Sequence, residues 1–413
     1  MHRAVMIRLC STRAKAASRT AFLYDERCFW HGGSGLYALL SPVSLPNGVQ
    51  PLAGGAGLPE APETKRRLKN LIDVTGLARD LDVMTTAALA LDHVDDDGSE
   101  IDGLEMPRES LLTRADLERI HPQSYLDEFK ALSDGGGGEL GLRTPFGPGG
   151  FEVSCLSAGL VKSALFSVLD GRHTNAYALS RPPGHHCLPD WPNGFCLLNN
   201  IGIAIEAALA TGRAKKVAVV DFDVHHGNGT ETIFWERDDC LSISIHQESN
   251  YPANSGALDD RGAGAGLNMN ANLPLPPGAG HATYIEATER VVVPLLREYK
   301  PDVIIVACGF DASGVDPLSR MLATADTFRD MTAHLMAAAD ELCDGKLVFA
   351  HEGGYSELHV PFCGHAVLKQ LSGSDVEVDD PLEERLKYQQ PNERALAFYS
   401  SEIDVMVDTF DCY

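Results

Sequence analysis

Residues 217–229 read VAVVDFDVHHGNG, an apolar run followed at once by two aspartates, two histidines and a glycine-rich turn. An apolar run of this length is typical of a strand that is buried on both faces of a parallel sheet. Charged side chains are unfavourable in that setting, so their presence at the end of the run needs a reason. In open parallel α/β sheets, ligands bind beyond the carboxyl ends of the strands, which is where these side chains fall.

Four other apolar segments also lead into reactive side chains. They are NAYAL at 175–179 before His185 and His186, LSISI at 241–245 before His246, VIIVACGF at 303–310 before Asp311, and KLVFA at 346–350 before Tyr355. Helical patterns alternate with these strands, at 152–169, 197–211, 281–298 and 325–343. The alternation predicts an α/β fold: an open, mostly parallel sheet with helices on both faces and the active site at the C-terminal strand ends.

The end of the strand quoted first predicts a metal site. Side chains alternate between faces in an extended chain, so Asp221, Asp223 and His225 share a face if the strand continues that far. Carboxylates and an imidazole crowded there are unfavourable unless a cation lies among them. Asp223 and His225, completed by Asp311, would supply three ligands, the number in a catalytic zinc site with an open position. Each residue alone could equally be a cap, a turn residue or a core histidine.

Composition argues against several classes of protein. The 413 residues include 58 acidic and 34 basic ones, a formal net charge of −24, which argues against direct nucleic-acid binding. No uninterrupted apolar stretch reaches 18 residues, so we expect no membrane span. The ten cysteines are scattered without a C-x-x-C pair, which favours buried thiols in a reducing compartment and a cytoplasmic location.

Residues 1–20 are basic and contain no acid. We expect a disordered extension there, and an organelle-targeting peptide is the alternative. Residues 21–413 are expected to form a single catalytic domain. Within it, segments 42–62, 92–110 and 134–150 are predicted as loops, the last of them glycine-rich and long enough to be functional.

Five segments in this order and spacing resemble the zinc-dependent histone deacetylase family, in particular its class II branch and the bacterial histone deacetylase-like amidohydrolases. The segments are RPPGHHCLPDWPNGFCLLNN, VDFDVHHGNGTET, SIHQESNYP, GFDASGVDPL and EGGYS. The resemblance spans roughly residues 20–375 and implies an arginase/deacetylase-type fold. It also implies hydrolysis of N-acyl-lysine-type amides, with removal of an acetyl or other short acyl group and release of a free amine and a carboxylate.

The resemblance implies roles for individual residues of the catalytic machinery. Asp223, His225 and Asp311 match the zinc ligands. His185 and His186 match the paired histidines beside the attacking water, and Tyr355 matches the tyrosine that donates to the substrate carbonyl. The two histidines would have Asp221 and Asn228 as their respective partners.

Further residues match the substrate tunnel and a potassium site. Gly194 would accept a hydrogen bond from the substrate, Phe195 and Tyr251 would be the aromatic walls, and Leu318 would lie at the rim. Tyr251 stands where phenylalanine is common. A structural K⁺ would be bound by Asp221, Ser244 and Ile245, together with the carbonyls of Asp223 and His225; a second monovalent site near Phe234 and Cys240 is a weaker expectation.

Two alternatives remain open at this stage. One is an acetylpolyamine amidohydrolase, whose family branch has a glutamate where this chain has Leu318; with a leucine there, we expect an acylated lysine to be preferred over that other small cationic amine. The second is an inactive fold that binds acyl-lysine. A homo-oligomer is also left open.

Overall fold

The computed structural model describes residues 20–31, 59–85 and 112–412. Its centre is an eight-stranded parallel sheet in the order β2-β1-β5-β10-β9-β6-β7-β8. The strands are β1 (Thr20–Tyr24), β2 (Asp82–Thr85), β5 (Asn175–Ala178), β6 (Val217–Asp221), β7 (Cys240–Gln247), β8 (Asn270–Leu275), β9 (Val303–Cys308) and β10 (Leu347–His351). A separate two-stranded antiparallel hairpin is formed by β3 (Gly138–Glu139) and β4 (Pro145–Phe146).

The middle strands are buried on both faces. Every residue of β5, β6, β7, β9 and β10 is buried, including the residues of both parities along each strand. Helices therefore cover the sheet on both sides, as the continuous apolar runs predict. The parallel register places Asp221, the last residue of β6, beside Ala307 of β9 and Ser244 of β7.

The α-helices pack against the sheet and against one another. Their bounds are Pro62–Thr75, Arg114–Glu118, Gln123–Asp134, Gly150–Leu169, Asn200–Ala210, Asn228–Phe234, His281–Ala287, Val293–Tyr299, Ala325–Cys343, Val360–Ser372, Glu383–Tyr388 and Glu393–Phe410. Gly150–Leu169 is long and apolar enough to cross a membrane by length and composition, but 83% of its most apolar window is buried inside the protein. Burial of that kind is typical of a core helix.

The predicted fold class, five strands and four helical segments are confirmed, with two corrections. The predicted helix 281–298 contains a π-helical turn at Thr288–Val292, and the predicted loop 134–150 contains the β3–β4 hairpin. Three strands of the large sheet, β1, β2 and β8, were not predicted, and neither were seven of the α-helices, including the three that follow β10. β2 exposes three of its four residues and β8 contains two asparagines and a proline, so neither shows an apolar run.

The ends of the predicted domain fall partly outside the described residues. Residues 1–19, most of the predicted loop 42–62 and all of the predicted loop 92–110 lie there. Thr20, which the prediction placed in the extension, is the first residue of β1. The nine cysteines in the described residues are all free and eight of them are buried, as the cysteine pattern indicates.

Candidate active site

The C-terminal ends of β5, β6, β9 and β10 bring the predicted site residues together. Asp223 and His225 follow β6, Asp311 follows β9, and Tyr355 follows β10. All four are buried, with at most 8% of their surface exposed. The turn after β5 adds the buried pair His185 and His186 to the same edge of the sheet.

The predicted zinc ligands form one cluster. Nδ1 of His225 lies 3.1 Å from Oδ1 of Asp223 and 3.0 Å from Oδ2 of Asp311. The second oxygen of each carboxylate accepts a backbone N–H: Asp223 from Gly353 at 2.8 Å and Asp311 from Val224 at 2.8 Å. Each aspartate therefore directs one oxygen at the imidazole while the other accepts a backbone N–H, and the oxygen of Asp223 near the imidazole also accepts the backbone N–H of His225 at 3.0 Å.

Two glycines make room for this cluster. A Cβ on Gly309 would lie 2.0 Å from an oxygen of Asp223, and one on Gly353 would lie 2.3 Å from an oxygen of Asp311. Real Cβ contacts never come this close, so the carboxylates could not keep their positions against any larger residue. The glycines of the G-F-D and E-G-G motifs, Gly309 and Gly353, are therefore needed to leave space for the two carboxylates.

The electrostatics of the cluster favour a bound cation. Burial and the neighbouring charge of Asp223 raise the pKa of Asp311 to about 6. Burial opposes a charged His225, but Asp311 and Asp223 outweigh it and raise its pKa to about 10. Two buried carboxylates around one nitrogen thus need a positive charge. With no cysteine among the three ligands, their N/O donor set suits a catalytic zinc with an open position.

The two adjacent histidines have different partners. Nδ1 of His185 lies 2.9 Å from Oδ2 of Asp221, whereas Nδ1 of His186 lies 2.8 Å from Oδ1 of Asn228. The rings are 4.0 Å apart between centroids. A carboxylate stabilises an imidazolium far more than a neutral amide does, so the pair separates a charged histidine from a neutral one.

The pKa directions agree with that separation. Burial disfavours the charged form of His185, but the carboxylates of Asp223 and Asp221 outweigh burial and raise its pKa to about 10. Burial, together with the charges of His185 and His225, holds the pKa of His186 well below its usual range. Because Nδ1 of a neutral His186 donates to Asn228, its Nε2 carries a free lone pair.

Tyr355 is placed by a residue that was not singled out from the sequence. Oδ2 of Asp316 accepts the backbone N–H of Tyr355 at 2.7 Å, and Oδ1 of Asp316 accepts that of Leu318 at 2.9 Å. The Tyr355 ring packs edge-on to Phe195, with centroids 5.8 Å apart. Burial and the nearby carboxylates raise the pKa of Tyr355, so its hydroxyl keeps its proton and can donate.

Of the predicted tunnel residues, Gly194 and Tyr251 contact His186, and Phe195 contacts Tyr355. The Tyr251 ring stands edge-on to His186, with centroids 5.0 Å apart. Gly194 has a φ of +55°, and a Cβ there would lie 2.3 Å from Cδ2 of His186, so glycine is required both for its backbone conformation and for space. Leu318 is half-buried, and its carbonyl accepts a hydrogen bond from the Asn250 side chain at 3.2 Å.

The buried Glu352 supports the site without having been predicted as part of it. Oε2 of Glu352 accepts the backbone N–H groups of Gly184 and His185, at 2.6 and 3.1 Å, and so fixes the turn that carries the histidine pair. His226, the second histidine of the HHG motif, contacts Glu231 at 3.1 Å rather than joining the carboxylate cluster. The alternation of side chains along an extended chain had already grouped His225, and not His226, with Asp223.

An open parallel sheet with this pair of histidines and this carboxylate–imidazole cluster at its strand ends defines a hydrolase of the arginase/deacetylase fold. A histone deacetylase domain profile matches residues 82–371, and the chain belongs to the histone deacetylase family. Members of this family are zinc-dependent hydrolases, and the chain is one that deacetylates acyl-lysine or related amides.

Individual relatives cover most of the chain. The histone deacetylase-like amidohydrolase of Pseudomonas aeruginosa is 48% identical over 392 residues, which are 95% of this chain and 96% of that protein. Histone deacetylase 8 of Arabidopsis thaliana is 35% identical over 275 residues, 65% of this chain and 73% of that one. The crystal structure of the HDA15 HD domain superimposes with a TM-score of 0.73 at 28% identity, covering 96% of both chains.

Proposed function

We propose that this chain removes acetyl or other short acyl groups from N-acyl-lysine side chains. The observation that carries the proposal is the pair His185–Asp221 and His186–Asn228, directly beside a buried carboxylate–imidazole cluster and beneath aromatic walls. Amide hydrolysis needs a neutral base to take a proton from water, a charged neighbour and a cation to polarise the carbonyl, all close to the same amide carbon.

Asp223, His225 and Asp311 are the residues that would hold Zn²⁺. When bound there, zinc would supply a Lewis acid that polarises the amide carbonyl and makes water more acidic. The fit rests on the burial of all three side chains and on the two carboxylate oxygens that lie 3.0 and 3.1 Å from one ring nitrogen.

The side chains would divide the proton transfers between them. Nε2 of His186 takes a proton from water as the water oxygen attacks the amide carbon. The hydroxyl of Tyr355 donates a hydrogen bond to the carbonyl oxygen as that oxygen gains negative charge. The C–N bond then breaks, and the amine nitrogen receives a proton from His186 or His185. The products are a free amine and a carboxylate, so atoms and charges balance.

We also propose a K⁺ behind His185, held by Asp221, Ser244 and the backbone around Ile245. Asp221 and Ser244 are register partners on β6 and β7 and both are buried. Burial raises the pKa of Asp221 because it removes water from around the carboxylate, and a monovalent cation would offset that cost. The midpoint of thermal unfolding should be higher in KCl than in tetramethylammonium chloride at equal ionic strength.

The second monovalent site, near Phe234 and Cys240, stays a prediction from the resemblance.

The residues expected at the rim of the tunnel support an acyl-lysine substrate. Leu318 offers an apolar side chain there, and Phe195 and Tyr251 offer aromatic faces, which suit the methylenes of a lysine stem. An acetylpolyamine carries a second ammonium inside the tunnel, which would need a carboxylate partner. Glu139 is one acid that the glycine-rich segment 134–150 offers, and its Oε1 accepts the backbone N–H of Arg143 at 3.1 Å.

The deciding experiment compares two amides at one pH and ionic strength. We expect kcat/KM for an acetyl-lysine peptide to exceed that for N8-acetylspermidine. A clear preference for the polyamine would overturn the proposed substrate class and favour the acetylpolyamine amidohydrolase, while leaving the hydrolase assignment intact. No hydrolysis of either amide by the zinc-loaded protein would favour the inactive binding fold instead.

A further inference from the structure

Three loops make up the wall of the tunnel on the side of His186. They are a glycine-rich arm (residues 138–143), a central loop (191–196) and a tyrosine loop (248–258). The arm and the central loop are joined by three backbone hydrogen bonds of 3.1 Å each, Leu142 N–H to Pro192 O, Gly194 N–H to Leu142 O and Phe195 N–H to Arg143 O. The backbones of these two loops are therefore directly joined.

The tyrosine loop reaches this piece through a side chain. The hydroxyl of Tyr251 donates to Oδ1 of Asn193 at 3.1 Å. Nδ2 of the same Asn193 donates to the backbone carbonyl of His186 at 2.7 Å. Asn193 is 3% exposed, so both of its hydrogen bonds are shielded from water. The result is a chain of contacts from the tyrosine loop, through one buried amide, to the backbone of His186.

Tyr251 is also held at its other end. Its carbonyl accepts the backbone N–H of His226 at 3.1 Å, and farther along the loop the carbonyl of Gly256 lies 3.0 Å from Nε2 of His246. Burial raises the pKa of the Tyr251 hydroxyl to about 12, so the group stays protonated and is a donor at neutral pH. With backbone and hydroxyl both fixed, Tyr251 has little freedom to turn its ring away.

We propose that the Tyr251 hydroxyl is a positioning group for the reaction, acting through Asn193 on the backbone of His186. The ring supplies the tunnel wall, which a phenylalanine would supply equally well, whereas the hydroxyl sets where the base stands relative to the scissile amide. The inference rests on the proposed role of His186 as the base. It predicts that the hydroxyl affects turnover more than substrate binding, because the face presented to the substrate is unchanged without it.

The test is a double-mutant cycle of Tyr251→Phe, Asn193→Ala and the double variant, with the zinc-loaded protein and an acetyl-lysine peptide. Tyr251→Phe should lower kcat about two- to tenfold, the worth of one neutral hydrogen bond, and change KM less than twofold. In the Asn193→Ala background the same change should have almost no effect on kcat. Tyr299→Phe, which removes a 3.2 Å hydrogen bond to the carbonyl of Asp238, is the matched control and should leave both constants unchanged.

Three outcomes would overturn the proposal. They are an unchanged kcat in Tyr251→Phe, a rise in KM alone, and equal effects of Tyr251→Phe in both backgrounds. If Asn193→Ala does not fold, as judged by its thermal unfolding, the KM-against-kcat split of Tyr251→Phe decides by itself. If the protein prefers acetylpolyamines, the substrate proposal fails on the wild type alone, and the same cycle is measured with N8-acetylspermidine.

Discussion

The floor and the wall of the site are built in opposite ways. The floor, meaning Asp223, His225, Asp311 and the histidine pair, stands on strand ends, and its carboxylates are held by backbone N–H groups. The wall consists of three loops joined to one another by backbone bonds and by Tyr251. The floor contains the buried charged side chains, whereas the wall consists of loops whose backbone and aromatic side chains shape the approach to the site. Changes in the floor should therefore cost far more than changes in the wall, because an unpaired buried charge is costlier than a lost contact.

The largest effect should follow loss of the metal from the floor. Chelation should abolish amide hydrolysis and added Zn²⁺ should restore it, since Asp223, His225 and Asp311 offer the ligands.

Asp311→Asn keeps an acceptor for the Val224 N–H but loses a charge, so it should bind zinc more weakly and lose activity. Metal content and kcat/KM measured on the same samples check both expectations. Two manganese ions per chain in the active protein would contradict them.

Tyr355→Phe should have the next largest effect. Loss of a hydrogen-bond donor to the developing oxyanion typically lowers kcat about 10²- to 10³-fold. Tyr284→Phe is a suitable control, since this tyrosine is fully buried and its hydroxyl has no partner among the described residues. Turnover of an unactivated acetyl-lysine substrate measures the effect. A near-normal kcat in Tyr355→Phe would rule out the role proposed for the hydroxyl.

Acid should lower the stability of the wall, because protonation of His121 disrupts its contacts there. Nδ1 of His121 lies 2.7 Å from the carbonyl of Pro189, and Nε2 accepts the N–H of Asn199 at 3.0 Å, so the neutral ring braces both sides of the central loop. Burial lowers its pKa to about 4, against 6.5 ordinarily. The unfolded chain therefore binds this proton first, and stability should fall by up to about 3 kcal/mol as the pH drops from 6.5 through 4.

Chemical denaturation at several pH values tests that expectation. His121→Asn should be less stable than the wild type at pH 7.5, but its free energy of unfolding should fall less steeply between pH 6.5 and 4. The difference between the two slopes isolates His121 from other buried histidines such as His31 and His246, whose pKa values burial also lowers. Equal slopes would show that His121 does not brace the wall in its neutral form.

The smallest effect is expected at the rim. Leu318→Glu should shift the ratio of kcat/KM values toward N8-acetylspermidine by about two- to fivefold, the worth of one partly exposed ion pair. Leu318→Gln separates charge from polarity and should shift the ratio much less. The two substrates are assayed side by side with each variant. An unchanged ratio in Leu318→Glu would show that residue 318 does not face the substrate.

The sequence predicted the floor of the site better than its wall. Apolar strands ending in Asp, His and Tyr predict a parallel sheet and gather the floor residues, because parallel strands end at one edge. The wall was less predictable, since its contacts join loops far apart in the chain, as when Tyr251 contacts Asn193. Asp316 and Glu352 were missed for a related reason: their carboxylates bind backbone N–H groups, which no side-chain pattern reveals.

Asp316 has a consequence for how such a protein changes its substrate over evolutionary time. Its carboxylate binds the backbone N–H groups of Leu318 and Tyr355, and Asn250 binds the backbone carbonyl of Leu318. None of these three contacts depends on which side chain residue 318 carries. The identity of the rim residue can therefore drift without moving the tyrosine, while Asp316 itself cannot be replaced so freely. Under the proposed substrate class, single substitutions at residue 318 would change the rim while leaving Tyr355 in place.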